Sequence, residues 1–118
     1  MNGRDKSTEN AGGAPKSGAS DSGTPAHMDQ TAKHVIFRGH VQGVGFRYTA
    51  REAARQYNVT GYVRNLPDGT VEMLIQGPAQ EIDNCVKEVQ DSFEGYIRDT
   101  RIEDAPYNPR YTDFRVAI

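Results

Sequence analysis

His34-Val35-Ile36-Phe37-Arg38-Gly39-His40-Val41-Gln42-Gly43-Val44-Gly45-Phe46-Arg47-Tyr48 holds two different repeats joined by a break. The first eight residues are β-rich, and Val35, Ile36 and Phe37 are consecutive, the pattern of a central strand. Gln42-Gly43-Val44-Gly45 interrupts it. From Phe46 the period lengthens: Phe46, Ala50, Ala53, Ala54 and Tyr57 fall on one helical face, and Arg51, Glu52 and Arg55 fall on the other. A strand, a sharp glycine turn and an amphipathic helix therefore follow one another directly.

The rest of the chain extends this unit. Gly61-Tyr62-Val63-Arg64-Asn65 reads as a second strand and Val71-Glu72-Met73-Leu74-Ile75-Gln76 as a third. Leu66-Pro67-Asp68-Gly69 joins them as a turn, with Pro presetting φ and Gly tolerating positive φ. Gly77-Pro78 opens a second helix, with Pro in its first turn, where no N–H is needed. Ile82, Cys85, Val86, Val89 and Phe93 form its apolar face, and Gly95 ends it. Tyr96 to Glu103 reads as a fourth strand, and the alternation from Tyr111 to Ile118 as a last one. The order β-α-β-β-α-β plus a strand predicts an α+β, ferredoxin-like fold, with two helices packed on one face of a mainly antiparallel sheet.

Upstream, the composition changes near residue 33. Residues 1–33 contain no Phe, Tyr, Trp, Ile, Leu or Val, and their Arg4, Lys6, Lys16 and Lys33 are balanced by Asp5, Glu9, Asp21 and Asp29. A segment with so little to bury cannot offset the entropy of ordering, so residues 1–33 are expected to be a disordered tail and 34–118 the folded domain. Across all 118 residues, Lys plus Arg is 14 and Asp plus Glu is 16. That balance argues against a nucleic-acid or membrane partner. The single cysteine, Cys85, excludes an intramolecular disulfide and a cysteine zinc cage, and its place on the helix stripe reads as core. No apolar run suits a membrane span, and none near the start suits a secretory signal; a reducing, cytoplasmic setting is expected.

The break between strand and helix carries the chemistry. Main-chain N–H groups of a glycine turn can converge on an anion, and the first N–H groups of a helix lie unpaired beside its positive dipole end. Arg47 adds a planar cation matched to phosphate oxygens. Val41, Gln42, Gly43, Val44, Gly45, Phe46 and Arg47 are thus the candidate phosphate-binding residues. The nucleotide P-loop is excluded because no Gly-Lys-Ser/Thr closes the turn. The dinucleotide fingerprint fails at Tyr48, where it needs a third glycine. A cysteine phosphatase would need its thiolate in this loop.

Two blocks now stand together: Gly39-His40-Val41-Gln42-Gly43-Val44-Gly45-Phe46-Arg47, and Gly61-Tyr62-Val63-Arg64-Asn65-Leu66-Pro67-Asp68-Gly69-Thr70-Val71-Glu72. In motif and spacing they resemble the acylphosphatase family, and the resemblance covers residues 34–118. It implies a hydrolase of small acyl phosphates in which the loop holds phosphate, Arg47 is catalytic and Asn65 positions the attacking water. Residue chemistry is compatible with this: a carboxamide donates and accepts at once, which suits a neutral water. A carboxylate leaving group, pKa near ~4, needs no general acid. The residues require no metal and no cofactor, and the expected form is a monomer acting on a small molecule. The alternatives are a phosphate-binding module without turnover and a nucleic-acid-binding module of the same strand order. Asp68 reads as turn chemistry, Glu72 equally as a functional residue or an exposed strand position, and Arg51, Arg55 and Arg64 as a solvated face or, less often, a positive field for an anionic substrate.

Overall fold

The computed structural model describes residues 30–117. The tail expected over residues 1–33 therefore lies, for residues 1–29, outside the described residues. Seven elements follow in the order read from the sequence: β1 (Gln30–Gly39), α1 (Phe46–Ala54), β2 (Thr60–Asn65), β3 (Val71–Pro78), α2 (Ala79–Ser92), β4 (Ile97–Ala105) and β5 (Phe114–Val116). The five strands form one sheet in the order β4-β1-β3-β2-β5, antiparallel except for β2 against β5. Both helices cover the face that carries Val35, Phe37, Val63, Val71, Met73 and Ile75, and all six side chains are buried there. This is the ferredoxin-like α+β arrangement.

Aromatic packing fixes where α1 begins. Phe46, its first residue, lies between Phe37 of β1 (ring centroids 4.9 Å apart) and Phe93 at the end of α2 (4.5 Å apart, stacked). One buried ring thus joins the first strand to both helices. Full burial of such a side chain contributes roughly 1.5–3 kcal/mol. It also holds the helix N-terminus just beyond the end of β1.

Some boundaries differ from the sequence reading for tertiary reasons. β1 starts at Gln30, not His34, because Gln30, Thr31, Ala32 and Lys33 pair with Pro78, Gly77, Gln76 and Ile75 of β3. A partner strand orders Ala32 and Lys33, whose own side chains are weak strand formers. Pro78 closes β3 as the N-cap of α2, so the helix begins at Ala79. Among the described residues β5 is confined to Phe114–Val116, the three that pair with β2. In the sheet, β3 lies between β1 and β2.

The chain crosses from one edge strand, β4, to the other, β5, through residues 106–113. Gln76 of β3 holds that crossing. Its carboxamide donates to the Asn108 carbonyl (2.6 Å) and accepts from the Asn108 N–H (3.0 Å). Both polar ends of this fully buried side chain are therefore satisfied.

Candidate active site

The loop of residues 40–45 crosses the sheet's end with its side chains sorted by chemistry. Val41 and Phe46 are buried, and Val44 packs half-buried against the core. Gly43 and Gly45 are exposed, at φ 78° and 80°. The apolar side chains anchor the loop, and the glycines turn its backbone outward. At Gly45, the N-cap of α1, ψ is 17°, the left-handed region that any Cβ disfavours.

Left-handed caps leave the helix start open. Gly45 has no side chain to cap α1, and the first bond into the helix runs from the Thr49 N–H to the Gly45 carbonyl (3.1 Å). Among the described residues, no hydrogen bond occupies the N–H groups of residues 41–48. No acidic residue stands in the first turn of α1, so nothing there answers the positive dipole end. Arg47 is half-buried in that turn. Tyr48 beside it is 61 % exposed, with the Arg51 guanidinium 5.5 Å from its ring centroid. Arg51 lies against Tyr48, with its Nη2 3.7 Å from a Glu52 carboxylate oxygen.

Asn65 lies at this end of the sheet through the pairing of β2 with β3. It is the last residue of β2, and its rung with Val71 is the last of the β2–β3 ladder. It shares the strand parity of buried Val63, which points to the helix-bearing face. The turn beyond it is tied internally: Leu66 N–H donates to the Thr70 carbonyl (2.9 Å), and Gly69 N–H to the Leu66 carbonyl (3.1 Å). Asp68 accepts from the Thr70 N–H (3.0 Å) and hydroxyl (2.6 Å), which hold its carboxyl below the usual carboxylate range. Its work is the turn, as expected. The loop meets this turn through Gln42, whose side-chain NH₂ donates to the Leu66 carbonyl (2.8 Å) and the Thr70 carbonyl (2.9 Å). Sequence reasoning placed Gln42 in the cradle through its main chain. The reach of its side chain across β3 carries no sequence signal.

A groove of about 950 Å³ opens on the other side of the same turn, lined by Arg38, Arg98, Arg101, Leu66 and Thr70 among others. Neither Arg47 nor Asn65 lines it. On the helix-free face, Glu72 also departs from expectation. It is only 8 % exposed, and its two oxygens accept from Arg64 Nε and meet His34 Nε2 (the latter at 2.7 Å). Burial works against its charge, but the hydrogen bonds from His34 and Arg64 prevail and lower its pKa. The side chains of β1 and β2 fold over it from both sides, which the alternation of one strand cannot reveal. Cys85 is fully buried in the core, and that burial pushes its thiol up to about 12.

These features define a small ferredoxin-like domain with an open main-chain cradle and an arginine at its first strand–helix junction. The sequence profile of the acylphosphatase family matches residues 33–116. The chain belongs to that family. It is 50 % identical over 62 residues to an acylphosphatase of Bordetella parapertussis, a match over 52 % of this chain and 64 % of that one. An acylphosphatase of Nitrobacter hamburgensis is 45 % identical over 80 residues, 67 % of this chain and 79 % of the relative. The solved acylphosphatase structure from Coxiella burnetii superposes with a TM-score of 0.72 at 30 % identity, covering 80 % of this chain and 99 % of that one.

Proposed function

We propose that the chain hydrolyses the carboxyl–phosphate bond of small acyl phosphates. The dianion R–CO–O–PO₃²⁻ and water become R–COO⁻ and H₂PO₄⁻. In this reading, the N–H groups of residues 41–47 and the Arg47 guanidinium hold the phosphoryl oxygens. Asn65 orients a water for attack in line with the leaving carboxylate. Phosphoryl transfer depends on positioning and on charges placed where charge develops, which main-chain amides and a fixed guanidinium supply. The departing oxygen is that of a weak acid, so the reaction needs no proton donor, no metal and no cofactor. The water's proton passes to a phosphoryl oxygen of the substrate itself.

One observation carries this reading. The open N–H groups of residues 41–48, Arg47 and the β2 end bearing Asn65 lie at the same end of the sheet, with the loop tied to the turn beyond Asn65. The proposed form is a monomer acting on a small molecule in the cytoplasm. The test is hydrolysis of benzoyl phosphate, with and without a chelator, beside a simple phosphate monoester. The expected result is release of benzoate that survives chelation, with the monoester nearly inert because its alkoxide leaves poorly. No benzoate release under any condition overturns the reading and leaves a phosphate-binding module. Release abolished by the chelator overturns metal independence alone.

A further inference from the structure

We infer that the Gln42 side chain is a positioning residue, which sets the distance between the phosphate cradle and Asn65. The inference rests on the functional reading above and adds a residue to it. β2 and β1 are separated by β3, so the loop after β1 and the end of β2 share no ladder that would fix their spacing. Gln42 provides the link. The two carbonyls it holds belong to Leu66, directly after Asn65, and Thr70, directly before Val71. They therefore bracket the Asn65–Val71 rung.

The residue type follows from the geometry. Two acceptors facing one nitrogen need two N–H donors on that nitrogen, which a carboxamide has. A glutamate presents only acceptors to those carbonyls, and an asparagine is one methylene shorter. Both carbonyls keep a second partner when Gln42 is removed, since Leu66 O still accepts from Gly69 N–H and Thr70 O from Leu66 N–H. The turn therefore survives the loss, and what slackens is its distance from the loop. A misplacement of about 1 Å in a reacting assembly costs on the order of a hundredfold in rate.

The experiment measures kcat on benzoyl phosphate and the inhibition constant of inorganic phosphate for the wild type, Gln42→Ala, Gln42→Glu, Asn65→Ala and the double variant Gln42→Ala/Asn65→Ala. Enzyme is used in excess so that slow turnover is resolved. Gln42→Ala and Gln42→Glu are expected to lower kcat at least tenfold, and phosphate inhibition by Gln42→Ala to stay within about threefold of wild type, because its main-chain cradle is intact. In the Asn65→Ala background the Gln42→Ala substitution is expected to change kcat less than twofold, because Gln42 acts through Asn65. Equal losses in both backgrounds overturn the inference, as does a Gln42→Ala kcat within twofold of wild type. If Gln42→Ala and Gln42→Glu both fail to fold, the residue is structural and the inference is overturned. Wild-type protein inert toward benzoyl phosphate defeats the functional reading itself, and the positioning role with it.

Discussion

The fold contains the same junction twice, and the two copies differ in what they leave exposed. β1 enters α1 through the loop 40–45 and a left-handed Gly45 cap. β3 enters α2 with no loop at all, through Pro78 at φ −61° and ψ 140°. Neither helix has a side-chain cap, so both begin with unpaired N–H groups. At α2 the positive end faces the carboxylate of Glu81 in its own first turn, which also accepts from the Asn58 N–H (2.8 Å). At α1 the first turn holds no acid and carries Arg47. A helix N-terminus becomes a candidate site only where a loop adds further amides and the chain leaves the positive charge unanswered.

The largest expected effect separates the junctions by activity. Arg47→Ala and Asn65→Ala should each leave less than a tenth of kcat, a barrier increase above ~1.4 kcal/mol, while far-UV circular dichroism is unchanged. Arg47→Lys should fail as well, because a point charge does not reproduce the guanidinium fork. Glu81→Gln at the second junction should leave kcat at the wild-type value. Full turnover in Arg47→Ala would erase the functional distinction between the two helix starts.

Next in size is a pair of glycine substitutions read by urea denaturation. A Cβ at Gly77, just before the second junction, would lie 2.5 Å from the Asn58 carbonyl oxygen. Gly77→Ala should therefore lose about 1–3 kcal/mol of stability from overpacking, with normal kcat in the folded fraction. At Gly45 a Cβ meets nothing within 4 Å, and only the left-handed backbone opposes it. Gly45→Ala should lose about 1–2 kcal/mol and also lower kcat, because the cap shapes the cradle. Equal kcat in the two variants would show that the cap's shape is immaterial.

A smaller effect comes from the helix-free face. The native-state pKa of Glu72 is depressed, so its contribution to stability is complete above the ordinary glutamate value, about 4.3. The contribution is lost as pH falls through the lower native value. Wild-type stability should fall on acidification below about pH 4 more steeply than that of Glu72→Gln, measured by urea midpoints across pH 3–6. Parallel curves would remove Glu72 from the acid response.

The smallest expected effect is on the pH–rate profile. Guanidinium groups stay charged in proteins and carboxamides do not titrate. After correction for substrate ionisation, kcat should vary less than about twofold between pH 5 and 8, where histidine titrates. A clean bell in that window would mean that the first junction works through a titrating group.

Most elements were legible because their signals are local. The shift from a β-rich run to a 3.6-residue repeat at Phe46 marks α1, and Leu66-Pro67-Asp68-Gly69 marks the hairpin. The loop was legible for the same reason, since consecutive residues carry it. What escaped was non-local. Tyr111 to Ile118 alternates throughout, yet among the described residues only Phe114–Val116 has a partner strand. Glu72 sits where alternation predicts exposure and is buried by Arg64 and His34 from two other strands.

Residue order alone determined the succession of strands and helices, the glycine-bearing turn with its arginine, and the hairpin whose first strand carries Asn65. Backbone conformation and amphipathic period are set by neighbours a few positions apart. Only tertiary packing decided that β3 stands between β1 and β2, that Phe46 pins the helix start, and that Gln42 joins the loop to the far turn. Strand pairing and side-chain reach depend on residues distant in the chain, whose approach no local pattern encodes.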